Sequence, residues 1–144
     1  MFLPLALAGA GALNRGVAHR LDELVALSRE LGREDRELAI LGEGNTSQLL
    51  EDGRFAVKAS GASLATLTAD DLTVCDRTRL LGLLDQKQLS DAQVNEALLA
   101  SRVDAGARKP SIETAFHAWL LTLSGVRFVG HTHPRTVNQI LCSP

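Results

Sequence analysis

Apolar positions along the chain follow two different spacings. From Val17 to Leu31 they recur near the period of a helix, and Gly32 follows directly. This pattern predicts a helix that ends at the glycine. The segments Thr46–Leu50 and Arg54–Ala59 alternate instead, with Glu51-Asp52-Gly53 between them. An Asp-Gly turn between two short alternating segments predicts a β-hairpin.

The second half of the chain continues with short strands and helices. The predicted elements are a strand at Leu72–Cys75, a helix that begins with a capping box at Ser90 and ends near Arg102, a helix from Pro110 to Leu123, a strand at Val126–Gly130 and a helix from Pro134. Together they predict a mixed α and β fold with antiparallel sheet. No repeat or low-complexity linker divides the 144 residues, so we expect a single domain over 1–144.

Charge and cysteine content narrow the functional class. The chain has 15 Lys and Arg against 17 Asp and Glu, a formal net charge of −2. This balance argues against nucleic-acid binding by bulk charge, which requires clustered basic residues. Two cysteines, Cys75 and Cys142, provide neither a disulfide framework nor a CxxC metal motif. We therefore expect a cytoplasmic protein with no nucleic-acid partner.

The N-terminal segment Phe2–Leu13 is apolar and resembles the central region of a signal peptide. No Lys or Arg precedes it, and the first basic residue is Arg15, whereas a signal peptide has its basic residues first. The segment is also shorter than the about 20 apolar residues that cross a bilayer. We expect it to pack in the interior or at an interface, and we expect no membrane association.

The tetrapeptide His131-Thr132-His133-Pro134 is a candidate metal site. In an extended segment, residues two apart point to the same side, so both imidazoles can reach one ion. Pro134 also favours extended geometry at His133. Histidine nitrogens suit zinc, and a catalytic zinc has three protein ligands and an open position. From the pair alone, a chance HxH at the end of a polar strand remains an alternative.

A second candidate is Pro110-Ser111-Ile112-Glu113, at the predicted start of a helix. Ser111 is placed as the N-cap, where unpaired amides and a hydroxyl can bind an anion. Glu113 lies in the first turn and shares a helix face with His117, four residues later. An acid favoured by the helix dipole and a structural histidine would give the same pattern.

The third candidate comprises two small, polar loops. Gly42-Glu43-Gly44-Asn45 can bring backbone amides close to a phosphate, and Lys58-Ala59-Ser60-Gly61 follows a predicted strand. The first loop is not a dinucleotide-binding fingerprint, because Ser47 occupies the third glycine position and a strand follows. Each loop alone is equally consistent with a tight turn.

Four of these motifs, taken in order, resemble those of the class II aldolase and adducin-head family. They are Gly44-Asn45-Thr46-Ser47, Lys58-Ala59-Ser60-Gly61, Pro110-Ser111-Ile112-Glu113 and His131-Thr132-His133-Pro134. The similarity is greatest to the aldolase-like domains of rhamnulose-phosphate aldolase/dehydrogenase-type proteins. It implies a three-layer αβα fold with a largely antiparallel central sheet, of which this chain is the N-terminal portion.

The resemblance also implies roles for particular residues. His131 and His133 would bind a divalent metal, most commonly Zn²⁺, and Glu113 would be the catalytic acid/base. Substrate or phosphate would be bound by Gly44, Asn45, Ser60, Gly61 and Ser111. Ile112 stands where phosphate aldolases often have a second serine. The family's third histidine ligand and a proton-donating tyrosine lie further downstream, and neither is present in this chain.

These roles predict an aldolase-type lyase that cleaves a sugar or sugar phosphate by a retro-aldol reaction through a zinc-stabilised enediolate. A sugar-phosphate 4-epimerase would use the same residues. An adducin-head-like interaction module and an inactive fragment are the alternatives without catalysis. The family also implies a small-molecule substrate and a homo-oligomer, commonly a tetramer.

Overall fold

The computed structural model describes residues 21–86 and 88–143. Its strands are β1 (Asn45–Leu49), β2 (Arg54–Lys58), β3 (Leu72–Asp76) and β4 (Phe128–His131). Its α-helices are α1 (Asp22–Leu31), α2 (Arg77–Leu84), α3 (Asp91–Ser101), α4 (Thr114–Leu120) and α5 (Arg135–Leu141). The segment Phe2–Leu13 and the predicted first turn of the helix at Val17 lie outside the described residues.

The four strands form one antiparallel sheet in the order β3-β2-β1-β4. The predicted hairpin is confirmed, because β1 and β2 pair with Ser47 opposite Val57. A 3-10 turn at Glu51–Gly53 connects them, with left-handed backbone at Asp52 and Gly53 (φ 61° and 73°). β4 pairs with β1 from the other side, although about 80 residues separate them along the chain.

Helices cover both faces of the sheet, so the predicted three-layer αβα fold is confirmed. On one face, Phe55, Val57 and Cys75 from the strands are buried against helices α2, α3 and α4. The helical residues of this cluster are Leu80, Leu98 and Ala118, and Leu121 joins them from the end of α4. On the other face, Leu24 of α1 packs with Ala56 of β2. Burial of these apolar side chains is the main favourable term in folding.

Two helices differ from the expectations. Helix α2 was not predicted. It follows β3 without a loop because the Asp76 carboxylate accepts hydrogen bonds from the amides of Thr78 and Arg79 and so caps the helix. Helix α4 begins at Thr114, not at Pro110, and ends at Leu120. Ser111 therefore lies in a turn before the helix and is not its N-cap. The capping box at Ser90 and Gln93 is confirmed.

The longest helix in the ranges 21–86 and 88–143 is α3, with 11 residues. A bilayer-spanning helix needs about 20 apolar residues. None of the helices described is long and apolar enough to cross a membrane.

Gly32 lets the end of α1 approach the backbone of residues 64–65. A Cβ added at Gly32 would lie 2.3 Å from the Ala65 nitrogen and 2.5 Å from the Leu64 carbonyl carbon. Backbone atoms cannot move aside as the end of a flexible side chain can. The glycine is thus required by close packing and not by its backbone angle.

We expect Gly32→Ala to destabilise the fold by about 3 kcal/mol, the upper end of the usual cost of overpacking. Gly82→Ala is the matched control, because Gly82 is exposed within α2 and an added Cβ meets nothing within 4 Å. That change should stabilise by about 0.5–1 kcal/mol. Urea unfolding measures both, and equal midpoints for the two variants would contradict the packing argument.

Candidate metal centre and the adjoining cavity

The pairing of β4 with β1 places His131 opposite Asn45, at the edge of the sheet where β1 begins and β4 ends. The chain remains anchored after the strand, because the His133 amide donates to the Leu38 carbonyl at 2.9 Å. Both imidazoles therefore lie on one side, with ring centroids 4.6 Å apart. The extended segment predicted for the HxH pair is what the structure shows at His131.

Glu113 reaches the same point from the turn before α4. The Ser111 hydroxyl accepts a hydrogen bond from the Glu113 amide at 3.1 Å, which holds that turn. Glu113 Oε1 then lies 3.4 Å from His131 Nδ1 and 3.6 Å from His133 Nε2. Asx- and Ser-type turns of this kind fix a backbone direction locally, and here the direction brings the carboxylate between the two imidazoles.

The three side chains fit a divalent cation. Their donor atoms lie within 4.8 Å of one another. His131 Nδ1 and His133 Nε2 are buried and have no hydrogen-bond partner, an arrangement that costs free energy unless something else binds them. Neighbouring ligands of a tetrahedral zinc are about 3.4 Å apart, close to the two distances to Glu113. Two nitrogens and a carboxylate oxygen are also donors that zinc prefers.

The charge state of Glu113 suits this role. Burial raises its pKa, but attraction from His131, the nearby Asn45 amide and His133 outweighs burial and holds the pKa below its ordinary value. Glu113 is thus a carboxylate at neutral pH, able to bind a cation or accept a proton. Asn45 is itself buried, and its Nδ2 forms no hydrogen bond of good geometry.

His117 lies behind the cluster and has no exposed surface. Its Nδ1 is 2.8 Å from the Ser47 hydroxyl, and its ring packs against those of Phe116 and His131, with centroids 4.7 and 6.2 Å away. Burial, with a contribution from His131, lowers the pKa of His117 to about 4. His117 is therefore neutral at pH 7 and joins α4 to β1.

A cavity of about 360 Å³ opens beside the cluster. Of the residues predicted to bind substrate or metal or to act in catalysis, it is lined by Gly44, Ser60, Gly61, Ser111, Glu113 and His133. Asn45 and His131 do not line it, although His131 contacts Glu113. The Ser60 and Ser111 loops are joined by an isolated bridge between Ala59 and Pro110 and by a hydrogen bond from the Ser60 amide to the Lys109 carbonyl.

Gly44 has a conformational and a steric requirement at this edge. Its φ is +77°, and an added Cβ would lie 3.0 Å from the His131 carbonyl oxygen. Left-handed backbone and close approach both favour glycine. The glycine of the turn is thus needed to bring that turn against the histidine strand.

The cavity also contains residues that the sequence alone did not assign. Lys58 is 2% exposed, and its ammonium donates to the carbonyls of Ala62 and Gly42 at 2.8 and 3.1 Å. Burial lowers its pKa although attraction to Glu113 opposes this. Lys109 and Glu43 line the same cavity. The sequence signal that could have identified Lys58 is the presence of a charged residue at the end of strand β2, where the neighbouring residues of the strand are buried.

A larger cavity, of about 530 Å³, lies elsewhere, near the start of α1 and the β2–β3 side of the sheet. Leu50, Leu72 and Val74 line it together with charged side chains such as Arg108. None of the predicted site residues contributes to it. By volume alone, this larger cavity would be the candidate functional site. The metal-binding side chains, however, converge beside the smaller cavity.

The chain belongs to the family described as the class II aldolase and adducin N-terminal domain, whose model matches residues 22–142. The resemblance noted from the four motifs is therefore confirmed. A curated relative is an uncharacterized oxidoreductase, YuxG, of Bacillus subtilis (strain 168). It is 32% identical over 142 residues, which covers 93% of this chain and 19% of that protein.

Solved structures show the same fold. The N-terminal class II aldolase domain of a conserved protein from Thermoplasma acidophilum has a TM-score of 0.73 at 25% identity, covering 99% of this chain and 63% of that one. The L-fuculose-1-phosphate aldolase of Thermus thermophilus has a TM-score of 0.53 at 22% identity, covering 85% and 52%. The chain thus spans less than two thirds of these relatives.

We expect Lys58→Met to destabilise the protein by about 2 kcal/mol. The substitution removes the ammonium that the carbonyls of Gly42 and Ala62 both accept from. Ala62 is buried and Gly42 is exposed, so the cost comes from the Ala62 carbonyl, because an unsatisfied buried group costs about 1–3 kcal/mol, partly offset by burying an apolar side chain. Lys109→Met is the control, because Lys109 is exposed and should change stability by less than about 0.5 kcal/mol. Urea unfolding compares them, and equal stability would show that Lys58 does not hold the two loops.

Proposed function

We propose that this chain forms a metal-binding active site of an aldolase-type lyase that acts on a sugar or sugar phosphate by retro-aldol carbon–carbon cleavage. The observation that supports it most is the convergence of the Glu113 carboxylate with two buried, unpartnered imidazole nitrogens. Family membership supports the same reaction class.

His131 and His133 would hold a divalent cation, with the Glu113 carboxylate beside it, and Zn²⁺ fits these donors. When bound, the cation supplies Lewis acidity that offsets negative charge developing on substrate oxygens. An imidazole that binds a metal is a neutral donor, so a divalent cation beside the one carboxylate of Glu113 would leave the site with a net positive charge. Such a site favours a substrate whose oxygens are negatively charged or donate electron pairs.

Glu113 is the proposed acid/base. When a carbon–carbon bond next to a carbonyl breaks, the hydroxyl on the departing carbon loses its proton as that carbon becomes an aldehyde, and the electron pair stays on the carbon beside the carbonyl. This second carbon then takes up a proton, so the cleavage releases one proton and consumes one. In the reverse direction the same carbon loses a proton. A carboxylate that is deprotonated at neutral pH and lines the cavity can accept that proton and return it.

The cavity provides the proposed substrate-binding groups. Ser60 and Ser111 offer hydroxyls, and Gly44 and Gly61 allow close approach of the backbone. The nearby Asn45 amide helps to keep Glu113 ionised. Lys58 and Lys109 add positive charge, which favours a phosphorylated or otherwise anionic sugar. Ile112, the residue after Ser111, lies at the rim of the cavity and is 70% exposed. Because it is an isoleucine, this position offers no hydroxyl to the substrate.

A sugar-phosphate 4-epimerase reaction would use the same residues, because it breaks and re-forms a carbon–carbon bond. A structurally similar protein, YgbL of Klebsiella pneumoniae, is described as a putative aldolase/epimerase/decarboxylase, with a TM-score of 0.57. The homo-oligomeric state and the cytoplasmic location remain predictions.

We expect the chain to bind Zn²⁺, and His131→Ala or His133→Ala to weaken binding by more than about 100-fold. Removing a residue that hydrogen-bonds to a metal ligand lowers metal affinity about 10- to 100-fold, and removing a ligand itself lowers the affinity further. Competition with a chromophoric chelator measures the affinity. Glu34→Gln is the control, because Glu34 is exposed on a short 3-10 helix. Tight, stoichiometric Zn²⁺ in the double alanine variant would contradict the assignment.

We expect Glu113→Gln to lower the exchange of a ketose phosphate's α-proton by about 100-fold or more, the usual contribution of a positioned acid or base. Deuterium uptake in ²H₂O reports this step without full cleavage. The measurement is made at saturating Zn²⁺, so that lost ion is not mistaken for lost base. Glu34→Gln should exchange like wild type. Equal rates for Glu113→Gln and wild type would remove Glu113 from the mechanism.

A further inference from the structure

His133 lies between two carboxylates, one facing each ring nitrogen. Nε2 is 3.6 Å from Glu113 Oε1, and Nδ1 is 3.8 Å from Glu43 Oε2. Glu113 also faces His131, whereas Glu43 faces His133 alone among the imidazoles that the structure describes. The two ring nitrogens are therefore in different environments, and the proposed mechanism uses only one of them.

A neutral imidazole carries one N–H and presents one bare nitrogen. Only the bare nitrogen can bind a cation, and the hydrogen bond made by the other nitrogen selects which one it is. Metal-binding histidines commonly donate their second N–H to a carboxylate, which fixes the tautomer and makes the ligand more basic. Nε2 of His133 is the buried, unpartnered atom that faces Glu113, so Nδ1 must carry the proton for Nε2 to be a ligand.

We infer that Glu43 is a positioning residue that holds His133 as the Nδ1–H tautomer and so leaves Nε2 bare for the cation. The inference rests on the proposed ion site and extends it to a residue that the family motifs did not assign.

The backbone places Glu43 for this contact. The Glu43 amide donates to the Ile40 carbonyl, and the His133 amide donates to the Leu38 carbonyl, both at 2.9 Å. The turn and the histidine segment are thus tied to the same stretch of chain. The Glu43 side chain is about half exposed (51%), and a shift of about 0.9 Å brings its carboxylate to an ordinary hydrogen-bond distance from Nδ1.

The decisive experiment is long-range ¹H–¹⁵N NMR of the ion-free protein, at a pH well above the imidazole range. The chain has four histidines, and the signal lost in His133→Ala assigns His133. Because Glu113 also faces Nε2 in the ion-free protein, we expect wild type to populate the Nδ1–H form more than Glu43→Ala does, so that Glu43→Ala shifts toward Nε2–H. Glu43→Gln should retain Nδ1–H, because its amide oxygen can accept the same hydrogen bond.

Zn²⁺ affinity tests the consequence. We expect Glu43→Ala to weaken binding by about 10-fold and Glu43→Gln by less. Glu34→Gln, which removes the same charge from an exposed position, should leave affinity unchanged. An unchanged tautomer in Glu43→Ala overturns the inference, and so does a shifted tautomer with wild-type affinity. If no variant binds Zn²⁺, the proposed function fails, while a tautomer shift in Glu43→Ala still supports the role of Glu43.

Discussion

The pairing of β1 with β4 is the contact on which the site depends. It joins segments about 80 residues apart and sets Asn45 opposite His131, so the glycine turn and the histidine pair meet at one edge of the sheet. A slip of one residue would turn every side chain of β4 to the opposite face. His131 would then point away from Glu113, and no adjustment of a side chain could recover the cluster.

Strand β1 has an unusual composition for a central strand, because Asn45, Thr46, Ser47 and Gln48 are all buried. Two of these side chains link the layers of the fold. Thr46 lies 2.6 Å from the Ser28 hydroxyl of α1, and Ser47 contacts His117 of α4. Buried polar groups stabilise a fold when partnered and are costly otherwise. The polar strand therefore fixes both helices relative to the sheet, which apolar contacts alone would do less specifically.

Local signals predicted most of the secondary structure. The hairpin followed from its Asp-Gly turn, and the capping box at Ser90 marked α3 correctly. Helix α2 was missed because its leucines are nearly consecutive and give no clear helical face, and because Asp76 both ends a strand and caps the helix. The same distinction holds for the residues of the site. The motifs identified Glu113 and the histidines, but Lys58 and Glu43 became evident only from contacts across loops, which no spacing within one segment can reveal.

The donor cluster is also a link between cation binding and folding. Its three atoms come from the turn before α4 and from the end of β4, so they converge only when the sheet and helices have assembled. A cation that binds this cluster and not the unfolded chain adds its binding free energy to the stability of the fold, about 2.7 kcal/mol at a concentration 100 times its Kd. For a domain of this size, that amount is a substantial share of the total free energy of unfolding. The folded population would thus depend on the supply of free metal.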